Sequence, residues 1–228
     1  MRTSPGEGVR IAMSSREAIL GKLRERGEVP FPAAVPVEAH RHVVPLADTS
    51  GAGLYGRFLQ EASQAACIIH EAASGEAAID AILQIVGEDT TISAWNPEYI
   101  PLPGLAESLA QANIRLVGED ASVRVGLTGV HAALAATGSV VLLSGNGRPR
   151  AASLLPPIHI AVVSATQIVP DLESWWTAQK EAGLDQLRQH SNVVVITGPS
   201  RTADIAMQLV MGMHGPRELH LVLLTGPA

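Results

Sequence analysis

Residues that could hold an anion follow a predicted buried strand near the end of the chain. Residues 193–216, VVVITGPSRTADIAMQLVMGMHGP, favour a strand, a tight turn, a helix and a His-Gly-Pro exit. A helix beginning after Ser200 would present free backbone N–H groups, and Arg201 would add a planar guanidinium, so a carboxylate or phosphate would be stabilised there. The residues predicted to line this anion site are Gly198, Pro199, Ser200, Arg201, Thr202, Asp204 and His214. A well-capped turn with a solvated Arg201 explains the same residues and stays open as the alternative.

A second loop of similar character lies upstream, within residues 127–148, LTGVHAALAATGSVVLLSGNGR. The pattern predicts a short Ala-rich helix over Val130 to Ala136 and then a strand. Thr137, Gly138 and Ser139 would connect the two, with Gly138 in a left-handed conformation at the helix end. We expect this loop and the first one to converge on one ligand pocket at the carboxyl ends of strands, with Arg148 and His214 at its rim. A plain helix-to-strand connection is the alternative.

Metal and redox chemistry are disfavoured in this chain. It has one cysteine, Cys67, so zinc or iron–sulfur ligation by several cysteines is excluded, and Cys67 is predicted to be a core residue. Of the eight histidines, His40 and His42 lie close together, without a carboxylate at ligand spacing. We expect no metal and no cofactor in this chain. No catalytic Ser/His/Asp pattern is present, and the catalytic residues are unknown.

Composition narrows the class of protein further. The 228 residues are 46% hydrophobic but 3% aromatic, which suits a core of Val, Ile, Leu and Ala. The net charge is −6 and the basic residues are scattered, so a nucleic-acid partner is not expected. No apolar run is long enough to span a bilayer, and the first residues lack the apolar core of a signal peptide. These features predict a cytoplasmic protein.

The helices and strands that must position the two loops lie in the part of the chain that begins at Leu54. Short apolar segments alternate with helical ones, which predicts an α/β fold with a mostly parallel central sheet and helices on both faces. One long helix is predicted from Pro170 to His190. We divide the chain into residues 1–50, an N-terminal helix with a Pro-rich extension (residues 29–45), and residues 51–228, the α/β domain.

Three segments together resemble a known family. Residues 128–144, 154–170 and 196–216 are similar, in this order, to the LUD-domain family, in particular to the C subunits of bacterial lactate-utilisation systems. The resemblance is strong from Ile114 to Leu224. It implies a three-layer α/β/α fold of the NagB/RpiA/CoA-transferase type, and a role in oxidising L-lactate to pyruvate beside subunits that carry iron–sulfur clusters. The family commonly has an acidic residue where this chain has Ala136.

Two functions are compatible with these residues. One is an accessory subunit of a lactate-oxidising system that binds iron–sulfur partner subunits and a small carboxylate, lactate or pyruvate. The other is a stand-alone enzyme of the CoA-transferase-like fold group that acts on a phosphorylated or CoA-linked metabolite. No glutamate matches the nucleophile of the transferases. The residues do not decide whether the chain is catalytic, nor its substrate or oligomeric state.

Overall fold

The computed structural model describes residues 15–27, 46–203 and 209–226. The chain divides into two units, Met1–Val44 and Pro45–Ala228. In the first unit the described residues form helix α1 (Ser15–Gly27), as predicted. The Pro-rich extension lies outside the described residues, and the boundary at residue 50 stays a prediction.

The second unit alternates helices and strands as the sequence pattern predicts. Its first half contains α2 (Gly51–Gln64), β1 (Ile68–Ala72), α3 (Gly75–Val86), β2 (Thr91–Ala94), α4 (Leu105–Gln111), β3 (Arg115–Val117) and β4 (Val125–Gly129). Its second half contains β5 (Ala132–Leu134), β6 (Ser139–Ser144), α5 (Ala151–Leu154), β7 (Ile158–Ser164), β8 (Ile168–Val169), α6 (Leu172–Glu181), α7 (Asp185–Arg188), β9 (Asn192–Ile196), β10 (Arg201–Ala203), β11 (Leu209–Met211) and β12 (Glu218–Leu224).

A six-stranded parallel sheet forms the centre of this unit, in the order β1-β12-β7-β4-β2-β3. Its inner strands are almost continuously buried, which explains why they read as unbroken apolar runs. Both faces are covered. A Cβ at Gly126 would overlap the backbone of Ala152 in α5, whereas one at Gly129, on the opposite face, would meet Tyr99 O at 2.6 Å. The predicted fold class is confirmed.

The helices before the first two strands of this sheet begin at serine caps. Ser50 Oγ accepts the Gly53 N–H at 3.1 Å at the start of α2, and Ser74 Oγ accepts the Ala77 N–H at 3.2 Å at the start of α3. Each bond satisfies a donor that the helix leaves free. Both helices then bury one apolar stripe against the core, with Phe58 in α2 fully buried.

A second sheet of four strands, in the order β8-β5-β6-β9, was not predicted. Strand β5 stands where we expected an Ala-rich helix over Val130 to Ala136, so that prediction was wrong. Ala132 and Leu134 pack beside Trp175, while Ala133 and Ala135 pack in the main core. This alternation is that of a strand, and pairing with β6 and β8 outweighs the helix propensity of alanine.

The helix predicted after Ser200 is also absent from the described residues. Arg201–Ala203 is strand β10, which pairs antiparallel with β11. Ser200 donates its N–H to Pro216 O at 2.8 Å and accepts the Gly212 N–H at 2.9 Å, so its backbone is engaged across the chain and cannot begin a helix. Asp204 lies outside the described residues.

The long helix predicted from Pro170 to His190 is two helices, α6 and α7. Between them Gly183 has φ +80° and Leu184 φ +63°, left-handed conformations that end α6. No helix among the residues that the structure describes has the length and apolarity needed to cross a membrane.

Candidate functional site

An open pocket of about 350 Å³ lies where β9 ends and the chain returns towards β12. We call it the basic pocket. It includes the predicted site residues Gly198, Ser200, Arg201, Thr202 and His214, whereas Pro199, which was also predicted to line the site, is buried and is not part of the lining. The other residues that line it are Arg150, Ser153, Leu154, Val194, Val195, Ile196, Thr197, Gly215 and Pro216.

The charges of the basic pocket favour an anion. The side chains in its lining that can carry charge are Arg150, Arg201 and His214, and no carboxylate is among the described lining residues. Apolar side chains also line the pocket, among them Leu154 and Ile196. The Arg201 guanidinium donates through Nη2 to Ala65 O at 2.9 Å, just past the end of α2, which fixes its position. A guanidinium carries five N–H donors, and no other hydrogen bond of this one to a described residue is present.

The predicted turn at Gly198 is present, although a strand follows it instead of a helix. Gly198 has φ +76°, and a Cβ there would overlap the carbonyl oxygen of Ala65. Ser200 Oγ accepts the His214 N–H at 3.2 Å, which holds the two sides of the pocket together. Since no helix begins here, anion recognition would depend on side chains and not on a helix N-terminus.

The loop at Thr137, Gly138 and Ser139 does not line the pocket but lies behind it. Gly138 has φ +63° and fits against the backbone of Ala62 near the end of α2. Ser139 Oγ is 2.7 Å from Thr137 Oγ1 and 2.7 Å from Thr197 Oγ1. The two predicted loops therefore meet through a row of hydroxyl groups, with only Thr197 reaching the pocket.

Arg148 lies away from the basic pocket, contrary to our expectation that it forms the rim. It ends a tight turn in which the N–H groups of Gly145 and Arg148 each donate to the other residue's carbonyl, at 3.1 and 3.0 Å. Its guanidinium stacks on the ring of Tyr99, 4.2 Å from the centroid. Of the two arginines in this loop, Arg150 lines the pocket together with Arg201. Its neighbours Ser153 and Leu154 carried no sequence signal of a site.

Cys67 lies beside the turn at Gly198, but its environment is that of a core residue. Burial raises the pKa of the thiol to about 11, although the Gly198 N–H and the positive charge of Arg201 act in the opposite direction. The thiolate, which is the nucleophilic form, is therefore scarce at neutral pH.

The histidines on the parallel sheet are paired with other protein groups. His159 is fully buried and its Nε2 lies 2.9 Å from Thr128 Oγ1, and burial, with a smaller effect of His220, lowers its pKa to about 3. His70 Nε2 lies 3.0 Å from His220 Nδ1, and His220 Nε2 lies 3.1 Å from Glu218 Oε2. Among the described residues no group of three or more metal-ligating side chains is present. The prediction of a chain without metal or cofactor stays a prediction.

Comparison with known proteins identifies the family. Residues 55–224 match the LUD domain, which is three quarters of the chain. The chain belongs to the LUD domain family. The resemblance deduced from the three sequence segments is thereby confirmed.

Individual relatives agree with this assignment. The chain is 35% identical over 150 residues to "Lactate utilization protein C" of Halalkalibacterium halodurans, covering 62% of this chain and 65% of that protein. It is 37% identical over 138 residues to the protein of the same name from an Exiguobacterium species, covering 60% of this chain and 58% of the relative. The matched regions thus span less than two thirds of these relatives.

One solved structure shares the fold. It is a DUF162 family protein from Deinococcus radiodurans with a TM-score of 0.58 and 19% sequence identity, and the match covers 78% of this chain and 100% of that one. At this identity the likeness concerns the fold alone.

Proposed function

We propose that this chain is a cytoplasmic accessory subunit of a system that oxidises L-lactate to pyruvate. The observation that carries the proposal is its similarity to two relatives named "Lactate utilization protein C". The basic pocket supports it, because each side chain in the described lining that can be charged is a cation or can become one. In this role the pocket binds the carboxylate of lactate or pyruvate.

The contacts available in the pocket suit a small organic acid. Arg201 is held by Ala65 O and can donate its remaining N–H groups to a carboxylate, with Arg150 as a second cation. The hydroxyls of Ser200 and Thr202 offer further donors, and the apolar lining residues can contact a methyl group. One hydrogen bond to a charged group contributes about 1.5–3 kcal/mol. Two such bonds give roughly millimolar affinity, which corresponds to about −4 kcal/mol.

Electron transfer in such a system requires redox centres, and a chain with one cysteine cannot hold an iron–sulfur cluster by itself. We therefore propose that the clusters are carried by partner subunits. Affinity purification of this chain from its native host, followed by iron analysis of the bound proteins, tests the partnership. Deletion of its gene should abolish growth on L-lactate. Unchanged growth together with no cluster-bearing protein in the eluate would contradict the proposal.

The carboxylate assignment is tested by Arg201→Lys, which keeps the charge but loses the planar fork of the guanidinium. Titration calorimetry with L-lactate and with pyruvate should show about tenfold weaker binding in the variant, because one charge-assisted hydrogen bond is lost. Arg188→Lys is the matched control, since Arg188 is exposed and is paired with Asp185 at 3.5 Å. Equal affinities in wild type and Arg201→Lys would assign Arg201 a structural role only.

The size of the pocket favours a second candidate, in which the chain acts alone on a larger anion. A volume of about 350 Å³ lies within the range of pockets that hold ligands larger than a three-carbon acid. A phosphorylated or CoA-linked metabolite would place its phosphates on Arg150 and Arg201. Thermal unfolding with sugar phosphates and acyl-CoA compounds discriminates, because a ligand that binds only the native state raises the melting temperature. A rise with these compounds and none with lactate would favour the second candidate.

A further inference from the structure

Three buried polar atoms lack hydrogen-bond partners in the part of the chain that the structure describes. They are Trp95 Nε1, Arg148 Nε and Asn192 Oδ1. Buried polar groups are nearly always paired, since an unpaired one keeps the full cost of leaving water. These three atoms belong to residues that adjoin one turn, Gly145–Arg148, which suggests a common cause.

Backbone contacts bring the three residues to this turn. Asn96, which follows Trp95, donates its N–H to Gly147 O at 2.7 Å, so the end of β2 is tied to the turn. Arg148 is the last residue of the turn. Asn192 pairs with Ser144, the residue immediately before Gly145.

Strand alternation shows which face of the second sheet carries Asn192. Val193 and Val195 are exposed on the outer face of β9, whereas Ile196 packs against the main core. Asn192 has the same parity as Ile196, so it lies on the inner face, towards the parallel sheet. Trp95 belongs to that main core and is 2% exposed. Trp95 and Asn192 therefore both face the interior, beside the turn that ends at Arg148.

The position within the parallel sheet is one where α/β proteins bind ligands. From β2 the chain continues outward to β3, whereas from β4 the next strand of this sheet is β7, in the opposite direction. Adjacent strands whose connections diverge leave a crevice at their carboxyl ends. Trp95 follows the carboxyl end of β2, and the segment around Tyr99 passes across the end of β4 at Gly129. We call this region the switch crevice.

The positive charge of Arg148 at the switch crevice has no carboxylate partner among the residues that the structure describes. The Arg148 guanidinium stacks on Tyr99. A partly buried guanidinium without an anion is a natural partner for a ligand carboxylate. The basic pocket differs, because Arg201 there already donates to a protein carbonyl.

We propose that the switch crevice is a second ligand site, separate from the basic pocket, and that it takes a small hydroxy acid. The ligand must accept hydrogen bonds from Trp95 Nε1–H and Arg148 Nε–H and must donate one to Asn192 Oδ1. A carboxylate with a neighbouring hydroxyl provides both functions, whereas a keto acid has no donor for Asn192. The chemical class of the ligand, a small hydroxy acid, follows from these three atoms. Only the identification of this acid as L-lactate rests on the proposed function.

The indole N–H of Trp95 reports directly on occupancy. The full chain has three tryptophans, so a ¹⁵N-labelled sample gives three indole signals, of which Trp95→Phe identifies one. Titration with L-lactate should shift the Trp95 signal downfield as Nε1–H gains an acceptor. Pyruvate and propionate should bind roughly tenfold more weakly, because they leave Asn192 Oδ1 unpaired. If Trp95→Phe does not fold, Trp176→Phe and His131→Gln alter the other two indoles and assign Trp95 by elimination.

Two variants make the test specific. Asn192→Leu should remove the preference for L-lactate over pyruvate. Arg201→Lys should leave the Trp95 titration unchanged, even where it weakens binding in the basic pocket, so failure of this site is distinguishable from failure of the proposed function.

A Trp95 signal that no acid moves at about 50 mM, well above a millimolar dissociation constant, would assign the three atoms to buried water and overturn the proposal. Equal shifts and affinities for lactate, pyruvate and propionate would overturn the hydroxy-acid class.

Discussion

The two sheets of the α/β unit differ in how deeply their strands are buried and in whether their polar side chains have hydrogen-bond partners. In the parallel sheet β7 and β12 are buried on both faces, and the buried His159 is paired with Thr128. In the four-stranded sheet Val193 and Val195 of the edge strand are 42% and 43% exposed, and Asn192 Oδ1 has no hydrogen-bond partner within the described part of the chain. Stability should therefore reside chiefly in the first sheet, and ligand chemistry in the second and at its border with the first.

The largest expected effect compares one apolar residue from each sheet. Leu221→Ala removes a fully buried side chain of β12 and should lower the free energy of unfolding by about 2–5 kcal/mol, through lost burial and a remaining cavity. Val195→Ala, on the exposed face of β9, should lower it by less than about 0.5 kcal/mol. Urea denaturation measures both. Similar losses for the two variants would show that the sheets contribute equally to stability.

A pH effect should follow from the buried histidine of the parallel sheet. Its folded-state pKa of about 3 lies below the unfolded value of 6.5, so the unfolded chain binds the additional proton between these values. The stabilising contribution is complete above pH 6.5 and is lost as the pH falls, at up to about 1.4 kcal/mol per pH unit. From pH 6.5 to 5 the loss approaches about 2 kcal/mol.

The variant His159→Gln, which keeps a hydrogen-bonding side chain beside Thr128, should lack this loss. Denaturation at pH 7 and pH 5 in both proteins measures the difference. His70→Gln is the comparison variant, because burial, followed by the influence of His220, lowers the pKa of His70 as well but by less than that of His159. An unchanged pH dependence in His159→Gln would mean that His159 is charged in the folded protein.

The smallest effect concerns the hydroxyl row that joins the two loops beside the second sheet. Ser139→Ala breaks the contacts with Thr137 and Thr197, and should cost about 1 kcal/mol of stability. A double-mutant cycle with Thr197→Val should show that the two changes are not additive, because they remove the same hydrogen bond. Additive losses would mean that the bond contributes nothing measurable.

The same contrast between the sheets decides what the sequence could predict. Strands such as β7 and β12 are short apolar runs between helical segments, so the parallel sheet followed from local pattern. Strand β5 did not, because Ala132 and Ala133 favour a helix locally and become a strand only through pairing with β6 and β8. Likewise the backbone of Ser200 is held out of a helix by its hydrogen bonds with Pro216 and Gly212. Local helix propensity cannot predict these long-range contacts.

The candidate sites, like the fold, were predicted from the sequence only in part. The turn at Gly198 and the residues Ser200, Arg201, Thr202 and His214 do meet in one pocket. Arg150 joins them because the loop before α5 lines the same pocket as the end of β9. Thr137 to Ser139 stay behind because the end of α2 packs against both Gly138 and Gly198. The switch crevice had no sequence signature, since Trp95, Arg148 and Asn192 are far apart in the chain and only the turn Gly145–Arg148 brings their segments together.

The hydrogen bond from Arg201 to Ala65 has an electrostatic consequence for any anion that approaches. A helix ends with roughly half a negative charge on its free carbonyls, and Arg201 rests on one such carbonyl beyond α2. The negative C-terminal end of α2 thus orients the guanidinium of Arg201 and cancels part of its positive electric field. We expect association at this arginine to depend less on ionic strength than association at Arg148, whose field no described carboxylate reduces.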